Sequence, residues 1–140
     1  MTLNREEKRA LSRYRLDKAD RLLADAGLLL EQGRWESAVN RSYYAALSAA
    51  RAILILFGGD PRTHEGVKTM VNQKLVLGGY LSKEYGRWFR ELLFDREEVD
   101  YADYVTIDKA DAAAAVERAE HFIREAKRIV ERLDQESMSG

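Results

Sequence analysis

The stretch WESAVNRSYYAALSAARAILILF, residues 35–57, decides the fold. It contains neither proline nor glycine, and apolar residues would cover most of its circumference as an α-helix. A helix that is apolar on most sides is buried on most sides, so we predict that this one lies near the centre of a helical bundle. A single polar stripe interrupts the apolar surface at steps of three and four residues. It consists of Ser37, Arg41, Tyr44, Ser48 and Arg51, with Asn40 at its edge.

The remainder of the chain also has helical character. It has one proline in 140 residues and no alternating, strand-like pattern. Glycines at 33, 58–59 and 78–79, together with the segment 96–107, which has little helical period, divide it into five predicted helices, over about 3–31, 35–57, 63–77, 82–95 and 108–134. The sequence therefore predicts an all-α, antiparallel up-and-down bundle of about five helices. We expect one domain over residues 1–135 and a frayed tail over 136–140.

Two apolar stripes identify the buried faces of the first and last helices. Their members recur every three or four residues, as on one side of an amphipathic helix. The stripe of the first helix includes Leu22, Ala26 and Leu29, and that of the last includes Val116, Ala119, Ile123, Ala126 and Val130. We expect both stripes to face the central helix.

The composition excludes several classes of protein. The formal net charge is -1, so any contact with nucleic acid or a membrane requires a local patch of charge. The absence of cysteine excludes disulfides, thiolate zinc sites and cysteine nucleophiles. The longest apolar stretch, Ala52–Phe57, is far shorter than the roughly 20 residues that span a bilayer. We expect a cytoplasmic protein without a bound metal ion or cofactor.

Two segments contain candidate ligand-binding residues. On the polar stripe, Arg41 would meet an anionic group and Tyr44 would supply a hydroxyl or a stacking face. The equally open alternative is a solvent-facing edge whose arginines pair with carboxylates of neighbouring helices. The acid-rich segment 96–107 is expected to be non-helical, and in it Arg96 stands close to Asp100 and Tyr101. An arginine beside a carboxylate and a phenol suits phosphate recognition, whereas clustered acids in a loop are usually only solvated.

We predict that these two segments form one polar site. A charged stripe on an otherwise apolar helix needs partners, and the acid-rich segment supplies them. The predicted ligand-binding residues are Asn40, Arg41, Tyr44, Arg51, Arg96, Asp100 and Tyr101. The two histidines, His64 and His121, are isolated in the sequence, and each is more often structural than catalytic. No glycine-rich phosphate loop is present.

Several short motifs together resemble the HEPN family, which is named for a nucleotide-binding domain of higher eukaryotes and prokaryotes. They are Asn40-Arg41-Ser42-Tyr43-Tyr44-Ala45-Ala46, Ala49-Ala50-Arg51, Thr63-His64-Glu65-Gly66-Val67, Arg96 with Asp100-Tyr101, and Ala119-Glu120-His121-Phe122-Ile123. The resemblance implies an up-and-down helical bundle and, in many members, a dimer. It also implies a minimal nucleotidyltransferase partner, often within a toxin–antitoxin module. Many members are metal-independent ribonucleases, with an arginine followed by histidine after four to six residues.

The sequence departs from that ribonuclease signature. After a gap of four residues from Arg96 the chain has Tyr101 where the signature has histidine, and no other arginine precedes a histidine at a gap of four to six residues. Tyrosine, with an ordinary pKa near 10, is a poor acid–base catalyst at neutral pH. The sequence therefore favours a binding role over catalysis, and the candidate catalytic residues are Arg96, Tyr101 and His64.

Three hypotheses remain open. The first is a HEPN-like module that binds a nucleotide or another anion and works with a nucleotidyltransferase. The second is a ribonuclease toxin with a degenerate Arg–Tyr centre or with His64 as a replacement. The third is a structural bundle whose main role is dimerisation. We expect a homodimer in each case, with Trp35 and Trp88 as anchors if they are exposed.

Overall fold

The computed structural model describes residues 2–101, 103 and 106–139, and all regular structure within these ranges is helical. Five α-helices follow one another: α1 (Arg5–Glu31), α2 (Trp35–Leu54), α3 (His64–Met70), α4 (Lys83–Tyr101) and α5 (Lys109–Ser139). A 3₁₀ turn, Ile55–Phe57, continues α2, and a π-helical segment, Val71–Val76, continues α3. The prediction of an all-α bundle of five helices is confirmed. Within the described ranges, no helix is both long enough and apolar enough to cross a membrane.

Local sequence explains where the helices begin and end. The Asn4 side chain accepts a hydrogen bond from the backbone of Glu7, whose side chain accepts one in return, and this capping box starts α1. Gly33 has a φ of 74°, a left-handed conformation that favours glycine, and it allows the chain to turn into α2. The Thr63 side chain accepts a hydrogen bond from the backbone of Gly66 and so fixes the start of α3.

Helix α2 is the centre of the bundle, as its sequence predicts. It packs against α1, α4 and α5, and its alanines allow these helices to approach closely. The largest side chains of the core are fully buried around it. They include Tyr43, Ile53, Leu54, Leu75, Phe89, Leu92 and Phe122.

The predicted buried stripes are found with three exceptions. In α5, Ala119, Ile123, Ala126 and Val130 are buried, whereas Val116 is half-buried; in α1, Ala26 is buried, whereas Leu22 and Leu29 are half-buried. These three side chains still pack against the core from its margin. The tryptophans expected as interface anchors, Trp35 and Trp88, are half-buried as well.

The expectation that residues 96–107 are non-helical is wrong for their first part. Helix α4 continues to Tyr101, because Arg96 is buried and forms an ion pair with Asp100 one turn later. Val99 on the same turn packs against the core. At the other end of the chain, α5 extends beyond Asp134 to Ser139, over most of the segment expected to fray.

Candidate functional site

Arg96 of α4 is the centre of a polar cluster, and only 9% of its surface is exposed. Its Nη2 donates a hydrogen bond to the Tyr44 hydroxyl over 3.0 Å, and its Nε lies 2.8 Å from Oδ2 of Asp100, an ion pair without hydrogen-bond alignment. The guanidinium carbon lies 6.0 Å from the ring centroid of Tyr43 and 5.5 Å from those of Tyr44 and Tyr101. Burial acts to lower the pKa of Arg96, but the Tyr44 and Asp100 oxygens outweigh it and raise that pKa. The cluster thus satisfies this arginine with groups of the chain itself.

Most of the predicted site residues meet in this cluster. Asn40 joins it through Nδ2, which donates a hydrogen bond to Oδ1 of Asp100 over 3.3 Å. Asn40, Tyr44, Arg96, Asp100 and Tyr101 therefore lie together, although they come from two helices that are far apart in the sequence. We call these five residues, together with Tyr43 and His64, the arginine cluster.

His64 reaches the same cluster from the start of α3. The hydroxyl of Tyr43 lies 2.6 Å from Nδ1 of His64, and Tyr43 itself is fully buried. This hydroxyl has no second partner among the described residues, so we assign it as the donor and place the His64 proton on Nε2. Burial, reinforced by the charge of Arg96, lowers the pKa of His64. His64 is therefore a neutral imidazole that retains one N–H to donate.

Two predicted binding residues lie outside the arginine cluster. Arg41 is exposed, and its side chain forms no ion pair or hydrogen bond with any residue that the structure describes, so nothing connects it with Arg96. Arg51 lies near the end of α2 in a separate cleft. Five of the seven predicted residues therefore lie in the arginine cluster, and Arg51 lines a neighbouring cleft.

This cleft, of about 500 Å³, is formed by α1, α2 and the chain from Pro61 to Val67. Four cationic side chains contribute to its lining: Arg15, Lys18, Arg51 and Arg62. Apolar and aromatic side chains line another part of the cleft: Leu11, Tyr14, Leu22, Leu47 and Val67. Tyr44 and His64 also line it, so it borders the arginine cluster. We call it the cationic cleft.

Asp60, in the turn before α3, holds two of these cations in place. Nη2 of Arg15 and Nη2 of Arg51 lie 3.1 and 3.2 Å from the same oxygen, Oδ1 of Asp60. Arg15 also donates a hydrogen bond from Nη1 to the backbone oxygen of Arg51 over 3.2 Å. Burial lowers the pKa of Arg15. The charge of Asp60 raises that pKa, but by less than burial lowers it. Because burial disfavours the charge of Arg15, a further anionic partner would stabilise it.

A second, shallower cleft lies on the other side of His64. Arg96 and Tyr101 line it, but so do Glu65, Glu97 and Glu98. Three carboxylates beside an arginine that is already paired with Asp100 make this cleft unfavourable for phosphate. An anionic ligand is therefore better accommodated in the cationic cleft. No three histidine or acidic side chains in the described part of the chain are grouped so that they could hold a metal ion.

The family model of the HEPN domain matches residues 12–130, which include the arginine cluster and nearly all of the cationic cleft. The chain belongs to the HEPN family. Among its relatives, a UPF0332 protein of Thermotoga maritima is 32% identical over 91% of this chain and 96% of that protein. A Methanocaldococcus jannaschii protein named "Putative toxin MJ0605" is 34% identical over 92% of this chain and 87% of its own length.

A solved structure shares the same helical bundle. The crystal structure of TT1696 from Thermus thermophilus aligns with a TM-score of 0.74 and covers 84% of this chain and 97% of that one. The sequence identity is 16%, so the likeness concerns the fold alone. The resemblance found in the sequence motifs is thus confirmed at the level of family and fold.

Proposed function

We propose that this HEPN protein is a binding module that accepts a phosphate-bearing ligand, such as a nucleotide, in the cationic cleft. The observation that carries the proposal is the convergence of four cationic side chains in one concave site. Within the described residues, Lys18 and Arg62 have no acidic partner, so their charges are available to a ligand. Charge-assisted hydrogen bonds from arginine to phosphate are among the strongest in proteins.

The size and the apolar lining of the cleft also support a nucleotide. Small-molecule sites have volumes of about 300–1,000 Å³, a range that includes the cationic cleft at about 500 Å³. Leu22, Leu47 and Tyr14 provide apolar and aromatic surface against which a base would pack. Neutral His64 and the Tyr44 hydroxyl stand where the cleft meets the arginine cluster, and each offers a polar group for orienting the ligand.

Isothermal titration calorimetry with ADP tests this proposal. Arg62→Gln should weaken ADP binding roughly 5- to 10-fold, because a partly exposed charged contact is worth about 1 kcal/mol. Arg41→Gln is the matched control, since Arg41 is also an exposed cation without an acidic partner in the described part of the chain, but it lies outside the cleft lining. Equal losses in the two variants would indicate general attraction by charge and contradict a site in the cleft.

We also propose that the protein works in the cytoplasm with a minimal nucleotidyltransferase, within a module of the toxin–antitoxin type. Two relatives are named "Putative toxin", and the HEPN resemblance implies such a partner. A nucleotidyltransferase acts on nucleotides, so a nucleotide-binding module suits its chemistry. Co-expression with the adjacent nucleotidyltransferase, if the genome encodes one, should yield a complex that survives gel filtration. Separate elution of the two proteins would contradict the partnership.

A ribonuclease is the second candidate, and one observation favours it. His64, which is distant from Arg96 in sequence, lines the same shallow cleft. Three features oppose it: the acidic lining, the Tyr43 hydroxyl on Nδ1 of His64, and a tyrosine at position 101. We therefore expect no cleavage of single-stranded or structured RNA without added metal. Cleavage that disappears in both Arg96→Ala and His64→Ala would establish the ribonuclease instead.

We propose a two-fold symmetric homodimer, because cyclic dimers are the commonest oligomers and the HEPN resemblance implies one. The half-buried tryptophans are less suitable anchors than Phe94 of α4, which is 60% exposed. Large exposed apolar side chains are typical anchors of protein interfaces. If no nucleotide binds but the dimer is present, the third hypothesis, a structural dimerisation bundle, gains support.

A further inference from the structure

Two of the four cations of the cationic cleft are already paired with one anion, which the chain itself supplies. No acidic residue is among the described residues that line the cleft, but the Asp60 carboxylate, in the turn beside it, bridges Arg15 and Arg51. Asp60 belongs to the turn Gly58-Gly59-Asp60-Pro61 rather than to a helix, and its side chain is 44% exposed. A carboxylate in a surface turn can leave its partners at far smaller cost than one on a packed helix.

The geometry of this bridge corresponds to a single compact anion. Both Nη2 atoms, from Arg15 and Arg51, lie within 3.2 Å of one carboxylate oxygen, and Nη2 of Arg15 also donates to the other oxygen over 3.3 Å. Two guanidinium groups that meet at one point suit a terminal phosphate group, which concentrates its charge there. A nucleic-acid backbone instead presents single charges at intervals along a strand.

The bridge to Asp60 leaves part of the site unsatisfied. Nε of Arg51 is shielded from solvent and has no hydrogen-bond acceptor among the residues that the structure describes. A buried donor without an acceptor destabilises the arrangement that contains it. A phosphate has more acceptor oxygens and more charge than a carboxylate, so it would satisfy these arginines better than Asp60 does.

We propose that Asp60 is a built-in competitor, which occupies the position of a ligand's terminal phosphate and is displaced when a nucleoside diphosphate binds. This inference rests on the proposed function and specifies its ligand and its control. In the free protein, Asp60 keeps Arg15 and Arg51 oriented and prevents their mutual repulsion. In the bound protein, the terminal phosphate takes over both arginines, and the nucleoside packs against Leu22 and Leu47.

Removing the carboxylate should therefore tighten binding. We expect Asp60→Asn to increase the affinity for ADP and for pyrophosphate roughly 5- to 10-fold, because each partly exposed ion pair that the ligand must break is worth about 0.5–1 kcal/mol. Adenosine, which lacks phosphate, should not gain. Glu65→Gln is the matched control, because it removes one negative charge nearby, but Glu65 is outside the cleft lining. It should change ADP binding less than about twofold.

Calorimetry on the full chain, with a thermal melt of each variant, separates the outcomes. Tighter ADP binding in Asp60→Asn but not in Glu65→Gln supports the competitor, and Asp60→Ala gives the same comparison if the asparagine variant folds poorly. Unchanged or weaker binding in both Asp60 variants, or an equal gain in Glu65→Gln, overturns it and leaves the proposed function intact. No binding of ADP or pyrophosphate to either wild type or variants overturns both proposals. A single-stranded oligonucleotide that binds more tightly than ADP overturns the terminal-phosphate assignment.

Discussion

Replacing Arg96 with methionine tests whether this arginine stabilises the fold or binds the ligand. Methionine retains an unbranched, apolar stem in the same buried space but removes the charge. The variant loses the hydrogen bond to the Tyr44 hydroxyl, the ion pair with Asp100 and the guanidinium contacts with three tyrosine rings. If the arginine cluster is structural, the loss should appear as reduced stability and not as reduced affinity.

The expected magnitude follows from these contacts. A hydrogen bond from a charged group contributes about 1.5–3 kcal/mol. Because the Asp100 side chain is 28% exposed, solvent weakens its ion pair with Arg96 to about 0.5–1 kcal/mol. The tyrosine rings add about 0.5–1 kcal/mol, and the apolar surface of methionine offsets a similar amount. We therefore expect Arg96→Met to reduce the free energy of unfolding by about 2–4 kcal/mol.

Urea denaturation followed by circular dichroism measures this loss, and ADP calorimetry on the same samples measures binding. Arg90→Met is the matched control, because Arg90 is on the same helix but exposed, and it should cost less than about 0.5 kcal/mol. Asp100→Asn, alone and combined with Arg96→Met, isolates the pair by a double-mutant cycle. If Arg96→Met lost less than about 0.5 kcal/mol but abolished ADP binding, Arg96 would serve the ligand and the reasoning above would be refuted.

Three further measurements test the core, the histidine and the assembly. Phe89 is fully buried and stacks on Phe122 with ring centroids 5.4 Å apart. Phe89→Ala should therefore reduce the free energy of unfolding by about 3–5 kcal/mol in urea denaturation. A loss below about 1 kcal/mol would contradict this packing. Since burial lowers the pKa of His64 in the folded state, the unfolded chain binds more protons just below pH about 6.5. The free energy of unfolding should therefore decline as the pH falls from about 6.5 toward the lowered pKa. In His64→Gln this decline with pH should be less steep. If it were as steep as in the wild type, His64 would not be its cause. Light scattering at tens of micromolar should give a dimeric mass for the wild type and a monomeric mass for Phe94→Asp, whereas a monomeric wild type would rule out the homodimer.

The sequence predicts the bundle well because its signals are local. The predicted boundaries at Gly33 and near Thr63 coincide with the end of α1 and the start of α3 in the structure. The error at the end of α4 has a different origin. Residues 96–101 have little apolar periodicity, and a tertiary contact from Arg96 to Tyr44 of α2 contributes to their helical structure. Arg96 and Tyr44 are 52 positions apart, and a contact over that separation produces no periodic pattern in the sequence.

The arginine cluster could be predicted in part, but the cationic cleft could not. Tyr44 and Arg51 lie on the polar stripe of α2, and this stripe was sufficient to predict both as binding residues. Arg15, Lys18 and Arg62 were missed because they come from α1 and from the turn before α3. A signal did exist on α1, where Leu11, Tyr14, Arg15, Lys18 and Leu22 share one face at steps of three, one, three and four. Only the packing of α1 on α2 shows that this face opens into a cleft.

His64 and Tyr101 together explain why recognition fits this site better than catalysis. Tyr101 stands where the family's ribonuclease signature has histidine, and its ring lies against Arg96. His64 brings an imidazole near the same arginine. The lone pair of its ring is on Nδ1, and this nitrogen accepts a hydrogen bond from the Tyr43 hydroxyl. A general base needs an accessible lone pair, so His64 would have to break that hydrogen bond before it could take a proton. With Nε2–H available and a lowered pKa, His64 instead remains a neutral donor at the edge of the cationic cleft. Such a donor can orient a phosphate-bearing ligand without itself changing charge.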